Sequence, residues 1–234
     1  MTKAVLTTIG FDADDTLWQN ETFFRLTEAK FAAMLTDYAD KDHIGVRLIE
    51  AEKRNLKFYG YGIKGFTLSM IDTAIEVTEG RVPASVIGDI LDISREMTQH
   101  PVETLPHVHE TLEALAGTFK LILITKGDLF DQERKVAESG LGELFDAVEI
   151  VSEKRASTYE RIFSQHGDGP TLSMMVGNSL KSDVVPMIEA GGWGVHVPHT
   201  LTWALEVCDP PTGSPRFHKI DHLGELLGVI DRIA

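Results

Sequence analysis

The sequence has a single cysteine, Cys208, which excludes a disulfide within the chain. Proteins of oxidising compartments usually carry paired cysteines, so this usage fits a reducing compartment. A lone cysteine is usually a small apolar side chain, and we assign Cys208 no catalytic role.

Long apolar runs are absent as well. No stretch approaches the roughly 20 apolar residues that a membrane-spanning helix needs. The N-terminal stretch MTKAVLTTIGFD lacks the long apolar region and the small-residue cleavage site of a signal peptide, because carboxylates begin at Asp12. We therefore expect a cytoplasmic protein without a membrane partner.

Cationic residues are scarce, with 22 Lys and Arg against 36 Asp and Glu and a formal net charge of −14. A field of this sign repels polyphosphate backbones, so we expect no nucleic-acid partner. An anionic substrate would need local cations or a metal ion to enter. The remaining composition, 43% hydrophobic over 234 residues, suits a soluble globular protein with one large domain or a core and a smaller one.

Short apolar runs that end in polar residues or glycine predict buried parallel strands. The runs are 4–11, 119–124, 147–151, 172–176 and 193–197, with a weaker one at 217–220. Helical patterns lie between them, at 108–115, 131–140, 156–166 and 181–191. This alternation predicts an α/β fold with a doubly wound parallel sheet.

A long helical insertion follows the first strand. Residues 18 to about 100 are helical almost throughout, with apolar residues at helical spacing most clearly over 23–38 and 86–97. We predict about four helices in a domain over 18–100, and a core domain made of 1–17 and 101–234. The insertion either only stabilises the protein or forms a lid over the carboxyl ends of the strands, where open α/β sheets bind ligands.

Polar side chains follow four of the predicted strands. They lie in DADDT (12–16), TKGD (125–128), SEK (152–154) and GNSLKSD (177–183). Because the carboxyl ends of parallel strands meet at one edge of a sheet, we expect these groups to converge.

Such a set suits phosphoryl transfer. A carboxylate can attack phosphorus and form an acyl-phosphate, while a divalent hard cation held by oxygen ligands neutralises the two anions. A second carboxylic acid can protonate the leaving alkoxide and then activate water. A threonine hydroxyl, backbone N–H groups and a lysine can hold the phosphoryl oxygens.

The motif DADDT, followed in order by Thr125, Lys154 and GNSLKSD, resembles the haloacid dehalogenase-like (HAD) hydrolase superfamily. The motif DxDxT alone is moderately specific, but four ordered motifs at strand ends are strongly specific. The helical insertion looks like the type I cap of phosphatase members. The resemblance implies a Rossmann-like core, hydrolysis through an aspartyl-phosphate, and Mg²⁺ as the cofactor.

The resemblance also implies roles for the matching residues. Asp12 would be the nucleophile, and Asp14 the general acid and base, with its backbone carbonyl also a Mg²⁺ ligand. Thr125 would bind the transferring phosphoryl group with the Lys126 amide. From its place in a turn, Asp15 is expected to be structural and to bond local backbone N–H groups.

The remaining roles include departures from the family pattern. Lys154 would neutralise Asp12 and the phosphoryl group, and Asp183 would hold the metal with Asp12. Asn178 stands where many members carry an acidic residue, so it would bind the metal through water or orient a neighbour. Arg155 follows where proline is common, and spacing from the strand favours Lys154 over Arg155 as the functional cation.

These residues predict a Mg²⁺-dependent phosphatase acting on a small phosphorylated metabolite. Asp14 argues against a 2-haloacid dehalogenase, because the resembling dehalogenases lack the second aspartate. A phosphomutase uses the same intermediate and stays open, and a non-catalytic binding protein is the alternative from another class. The sequence leaves open sugar phosphates, phosphoglycolate and nucleoside monophosphates as substrates, and also the oligomeric state.

Overall fold

The computed structural model describes residues 6–233, which form two compact units. The first comprises the chain up to Gln19, Val102–Lys126 and the chain from Glu133 onward. The second comprises Asn20–Pro101 and the short segment Gly127–Gln132. The insertion after the first strand is therefore a compact body of its own.

The first unit contains a parallel sheet. Its strands are β1 Thr8–Phe11, β2 Lys120–Lys126, β3 Ala147–Val151, β4 Ser173–Gly177, β5 Trp193–His196 and β6 Phe217–Lys219. They pair in the order β3-β2-β1-β4-β5-β6, and every pairing is parallel. The predicted doubly wound α/β fold and all six predicted strands are confirmed. Residues 4 and 5 of the first predicted strand lie outside the described residues.

Helices join the strands and fill the insertion. They are α1 Glu21–Met34, α2 Lys41–Tyr59, α3 Ile63–Val77, α4 Ala84–Thr98, α5 Val108–Leu115, α6 Leu129–Ser139, α7 Ala156–His166, α8 Val185–Glu189 and α9 Leu226–Ile233. None of these described helices combines the length and hydropathy of a membrane-spanning segment.

Successive side chains of a strand point to opposite faces of the sheet. Buried clusters cover both faces. Ile9 and Phe11 of β1 belong to a fully buried cluster that includes residues of α5 and α9. Ile122 of β2 and Met175 of β4 belong to a separate cluster with residues of α7 and α8. Burial on both faces explains the near-continuous apolar runs of these strands.

The insertion has its own core. Phe31, Leu48, Phe66, Met70 and Ile90, from four different helices, lie in one buried cluster. The prediction of about four helices is confirmed by α1 to α4. These helices bury apolar stripes against one another, which is how most helices in proteins are stabilised.

One predicted crossover differs from the structure. The predicted helix over 181–191 is split into a π-helical turn, Leu180–Val184, and the short helix α8. Pro186 lies in the first turn of α8, where its missing N–H is tolerated. Ser179 Oγ accepts a hydrogen bond from Ser182 N at 3.0 Å and so caps the π-helical turn. Single π-helical turns occur frequently at functional sites.

Candidate active site

Three of the predicted site residues meet around one ammonium group. Lys154 Nζ donates hydrogen bonds to Asp12 Oδ1 at 2.5 Å and to Asp183 Oδ1 at 2.7 Å. Asp12 follows β1, Lys154 follows β3 and Asp183 lies in the turn after β4. All three residues are buried, whereas Arg155 is exposed, so the structure places Lys154 at the site.

The charges in this cluster do not balance. Two carboxylates share a single ammonium in a region shielded from water. Burial, reinforced by the neighbouring Asp183, raises the pKa of Asp12 to about 7 although Lys154 opposes the shift. Burial alone would lower the pKa of Lys154, but Asp12 and Asp183 raise it, so the ammonium stays charged. The cluster would gain from one more positive charge.

The turn after β4 orients Asp183. Ser179 N donates a hydrogen bond of 2.9 Å to Asp183 Oδ2, while Asp183 Oδ1 accepts from Lys154. Gly177 leaves the space that the aspartate side chain occupies. The carboxylate is therefore held at both oxygens.

Thr16 connects the first motif to the fourth. Its hydroxyl donates to Asp12 Oδ2 at 3.2 Å and accepts from Asn178 N at 3.0 Å. The carbonyl of Asn178 lies 3.0 Å from His196 Nε2, so the backbone of Asn178 is fixed on both sides. The metal-binding role of the Asn178 side chain stays a prediction.

Asp14 is held by donors that the sequence did not assign to it. Asp14 Oδ1 accepts hydrogen bonds from Trp18 Nε1 at 2.7 Å and from Lys135 Nζ at 2.9 Å. Lys135 lies on α6, 121 positions away, and is buried despite its charge. Nothing in the local sequence distinguishes it from a surface lysine.

Asp15 has a different environment from its neighbours. Its backbone lies in the left-handed region with φ of 61°, and its amide donates to Trp18 O at 2.7 Å. Asp15 Oδ1 lies 3.6 Å from His199 Nδ1. Asp is one of the few residues that tolerate this conformation, which accounts for its presence in the turn.

Thr125 and Lys126 end β2. Thr125 is buried, and Lys126 Nζ donates to Ser182 Oγ at 2.8 Å and to Glu206 Oε1 at 2.9 Å. The Lys126 side chain is thus bound within the protein, and the predicted role of its backbone amide stays a prediction. Glu206 has no motif around it, and the sequence interpretation did not include it.

The donor set fits Mg²⁺. Among residues 6–233 the structure contains no cluster of three or more His, Cys, Asp or Glu side chains suited to a metal. Mg²⁺, however, is commonly held by one or two carboxylates and keeps several waters. Asp12 and Asp183 would supply two hard oxygen ligands, and a divalent cation would relieve the repulsion between them.

Comparisons with known proteins identify the family of the chain. A family model described as haloacid dehalogenase-like hydrolase matches residues 6–191. No curated protein matches the chain by sequence.

Three solved structures have a similar fold over almost the full length of this chain. A haloacid dehalogenase-like family hydrolase from Xanthomonas campestris is 41% identical, with a TM-score of 0.87 over 100% of this chain and 94% of that one. A predicted phosphoglycolate phosphatase from Haemophilus somnus is 18% identical, with a TM-score of 0.65 over 96% of this chain and 97% of that one. A HAD hydrolase from Bacillus subtilis bound to magnesium is 15% identical, with a TM-score of 0.67 over 97% and 99%.

Proposed function

Since this chain belongs to the haloacid dehalogenase-like hydrolase family, we propose that it is a Mg²⁺-dependent phosphatase that hydrolyses a small phosphate monoester. The observation that carries the proposal is the Lys154 ammonium, buried between the carboxylates of Asp12 and Asp183. It is accompanied by a second aspartate, Asp14, two positions after the first. A reaction that used only a carboxylate nucleophile would need no second aspartate as acid and base.

Asp12 is the nucleophile in the first half of the reaction. A carboxylate oxygen of Asp12 attacks phosphorus, the bond from phosphorus to the ester oxygen breaks, and an aspartyl-phosphate forms. Asp14 gives its proton to the departing alkoxide. Lys154 offsets the charge on the nucleophile, and the Thr125 hydroxyl with the Lys126 amide holds the phosphoryl oxygens.

The second half reverses the role of Asp14. Its carboxylate takes a proton from water, the resulting hydroxide attacks phosphorus, and the bond to Asp12 breaks to release phosphate. Trp18 and Lys135 donate to Asp14 Oδ1 and so orient its side chain in both halves. Mg²⁺, held by Asp12, Asp183 and the backbone carbonyl of Asp14, would supply positive charge against the anionic nucleophile and phosphoryl group.

The helical unit is proposed to act as a cap that selects the substrate. Its insertion directly after the first motif supports this role. We propose a small phosphorylated metabolite, and not a phosphoprotein, as the substrate.

The test is hydrolysis of a generic aryl phosphate with Mg²⁺ and with EDTA, in wild type and in Asp12→Asn. We expect Mg²⁺-dependent release of phosphate that Asp12→Asn abolishes. Equal activity in wild type and Asp12→Asn would overturn the proposal. Chloride release from a 2-haloacid without metal would instead identify a dehalogenase. A panel of phosphate esters then identifies the substrate.

A further inference from the structure

A second polar network lies in the same unit as the candidate site. Glu206 ends a short 3-10 turn, Ala204–Glu206, and its side chain is 14% exposed. Glu206 Oε1 accepts from Lys126 Nζ at 2.9 Å, and Glu206 Oε2 accepts from Ser179 Oγ and Ser182 Oγ at 2.5 Å each. One carboxylate therefore collects three donors from two different stretches of chain.

The network is charged, and Lys126 Nζ also lies 3.6 Å from Glu153 Oε1. Lys126 Nζ also donates to Ser182 Oγ at 2.8 Å, so the ammonium and the carboxylate share this serine. Burial would raise the pKa of Glu206, but Lys126 and the two serine hydroxyls outweigh it and hold the pKa below its usual value. Glu206 is thus ionised at neutral pH, and hydrogen bonds to ionised groups are the stronger ones.

Both stretches carry groups of the proposed active site. Lys126 provides the backbone amide that would bind the phosphoryl group. Ser179 donates its backbone N–H to Asp183 Oδ2 at 2.9 Å, and Ser182 directly precedes Asp183. Glu206 therefore ties the end of β2 to the turn that presents Asp183.

We propose that Glu206 is a positioning residue for the active site, whose carboxylate holds Lys126 and the Ser179–Asp183 turn in the arrangement that Mg²⁺ and the phosphoryl group require. The proposal rests on the proposed phosphatase function of the same site. In this proposal Glu206 acts through Lys126 and the Ser179–Asp183 turn, whose side chains it binds directly.

The segment also offers a matched control. Lys181 Nζ donates to Leu205 O at 2.6 Å from an exposed position on the same turn. Lys181→Met removes a contact between the turn and the Glu206 segment but leaves the carboxylate network intact.

The experiment compares Glu206→Gln with Lys181→Met and wild type. For Glu206→Gln we expect kcat/KM to fall about tenfold and the half-saturating Mg²⁺ concentration to rise about tenfold, which corresponds to losing one hydrogen bond to a charged group. Calorimetric titration with Mg²⁺, and with inorganic phosphate, should show the same weakening. Lys181→Met should stay within about twofold of wild type, the range of a neutral surface change. If Glu206→Gln lowers only the melting temperature and leaves these binding and kinetic parameters unchanged, the proposal is wrong.

A second variant covers the case in which Glu206→Gln fails to fold because Lys126 loses its ion pair with Glu206. The double variant Lys126→Met with Glu206→Gln removes both charges, which proteins tolerate better than one buried charge alone. We expect it to fold and to bind Mg²⁺ and inorganic phosphate about tenfold more weakly than wild type. The reason is that a Glu206 carboxylate no longer connects the end of β2 to the Ser179–Asp183 turn. Recovery of wild-type binding would overturn the proposal, since Glu206 would then only neutralise Lys126.

The two proposals fail in different ways. A wild-type protein that binds Mg²⁺ but hydrolyses no phosphate ester would overturn the phosphatase function, and weaker Mg²⁺ binding by Glu206→Gln would still support positioning. A wild-type protein that binds neither Mg²⁺ nor inorganic phosphate would overturn both.

Discussion

The Asp183 side chain fills the space beside Gly177 that the side chain of any other residue would need. A Cβ atom at position 177 would lie 2.2 Å from Asp183 Oδ2 and 2.3 Å from its Cγ. Gly177 is the last residue of β4, and Asp183 is held from the other side by Lys154. The Asp183 carboxylate also accepts from Ser179 N, so a displacement would disturb both hydrogen bonds.

Gly177→Ala is therefore expected to displace Asp183. A shift of about 1 Å in a positioning group can lower a rate about 100-fold, and overpacking costs about 1–3 kcal/mol of stability. Steady-state kinetics with an aryl phosphate and urea unfolding measure the two effects. The control is Gly88→Ala in α4, where an added Cβ meets nothing within 4 Å. It should gain about 0.5–1 kcal/mol and keep full activity. Full activity in Gly177→Ala would contradict the placement of Asp183.

Lys154→Met is expected to be strongly destabilising. It leaves Asp12 and Asp183 buried side by side without their shared cation, and breaking a buried ion pair in this way costs about 3–5 kcal/mol. Urea unfolding in EDTA measures the change. Arg155→Met, at the exposed neighbouring position, should stay within about 0.5 kcal/mol of wild type. Equal stability of the two variants would show that the cluster is not buried as described.

The raised pKa of Asp12 predicts a pH dependence of stability. Asp12 binds its proton more tightly in the folded protein, with a pKa of about 7 against a reference of 3.8, chiefly because it is buried and faces Asp183. The sign follows: stability falls as the pH rises from about 4 to 7, by up to about 4 kcal/mol. Asp12→Asn should remove this loss, so that in EDTA at pH 8 the variant is more stable than wild type.

Unfolding in EDTA at pH 5 and pH 8 checks the prediction. Asp209→Asn, an exposed aspartate in a loop, is the matched control and should follow the wild-type curve. Parallel curves for Asp12→Asn and wild type would refute the assigned shift. Added Mg²⁺ should stabilise wild type at pH 8 and have less effect on Asp12→Asn.

Substitutions at Asp15 should affect stability more than catalysis. With φ of 61°, alanine at this position is strained and should cost about 1–2 kcal/mol, whereas Asp15→Asn and Asp15→Gly fit the left-handed conformation. We expect Asp15→Asn to keep kcat within a few-fold of wild type. A folded Asp15→Asn protein as inactive as Asp12→Asn would show that Asp15 takes part in the reaction.

The sheet and the ends of its strands could be predicted because they depend on local patterns. Buried parallel strands need short apolar runs. The run at 119–124 overlaps β2, and the run at 147–151 has the same bounds as β3. Parallel pairing then places the residues after each strand at one edge. This is sufficient to bring Asp12, Lys154 and Asp183 to one site, whatever the details of packing.

The partners of these residues could not be predicted in the same way. Lys135 on α6 and Glu206 in a short turn are 121 and 80 positions away from the groups they hold. Their local sequences resemble those of exposed charged residues. Only burial and distance in the folded protein distinguish them, since both quantities depend on how remote segments pack.

The amino-acid sequence by itself determined the order of the strands along the chain, the helical insertion and the four polar motifs, because apolar periodicity and turn chemistry are local. The tertiary structure alone decided the π-helical turn before α8, the contact of Trp18 and Lys135 with Asp14, and the tie from Glu206 to Lys126. The physical reason is that desolvation and charge pairing depend on neighbours in space, which the spacing of residues along the chain does not specify.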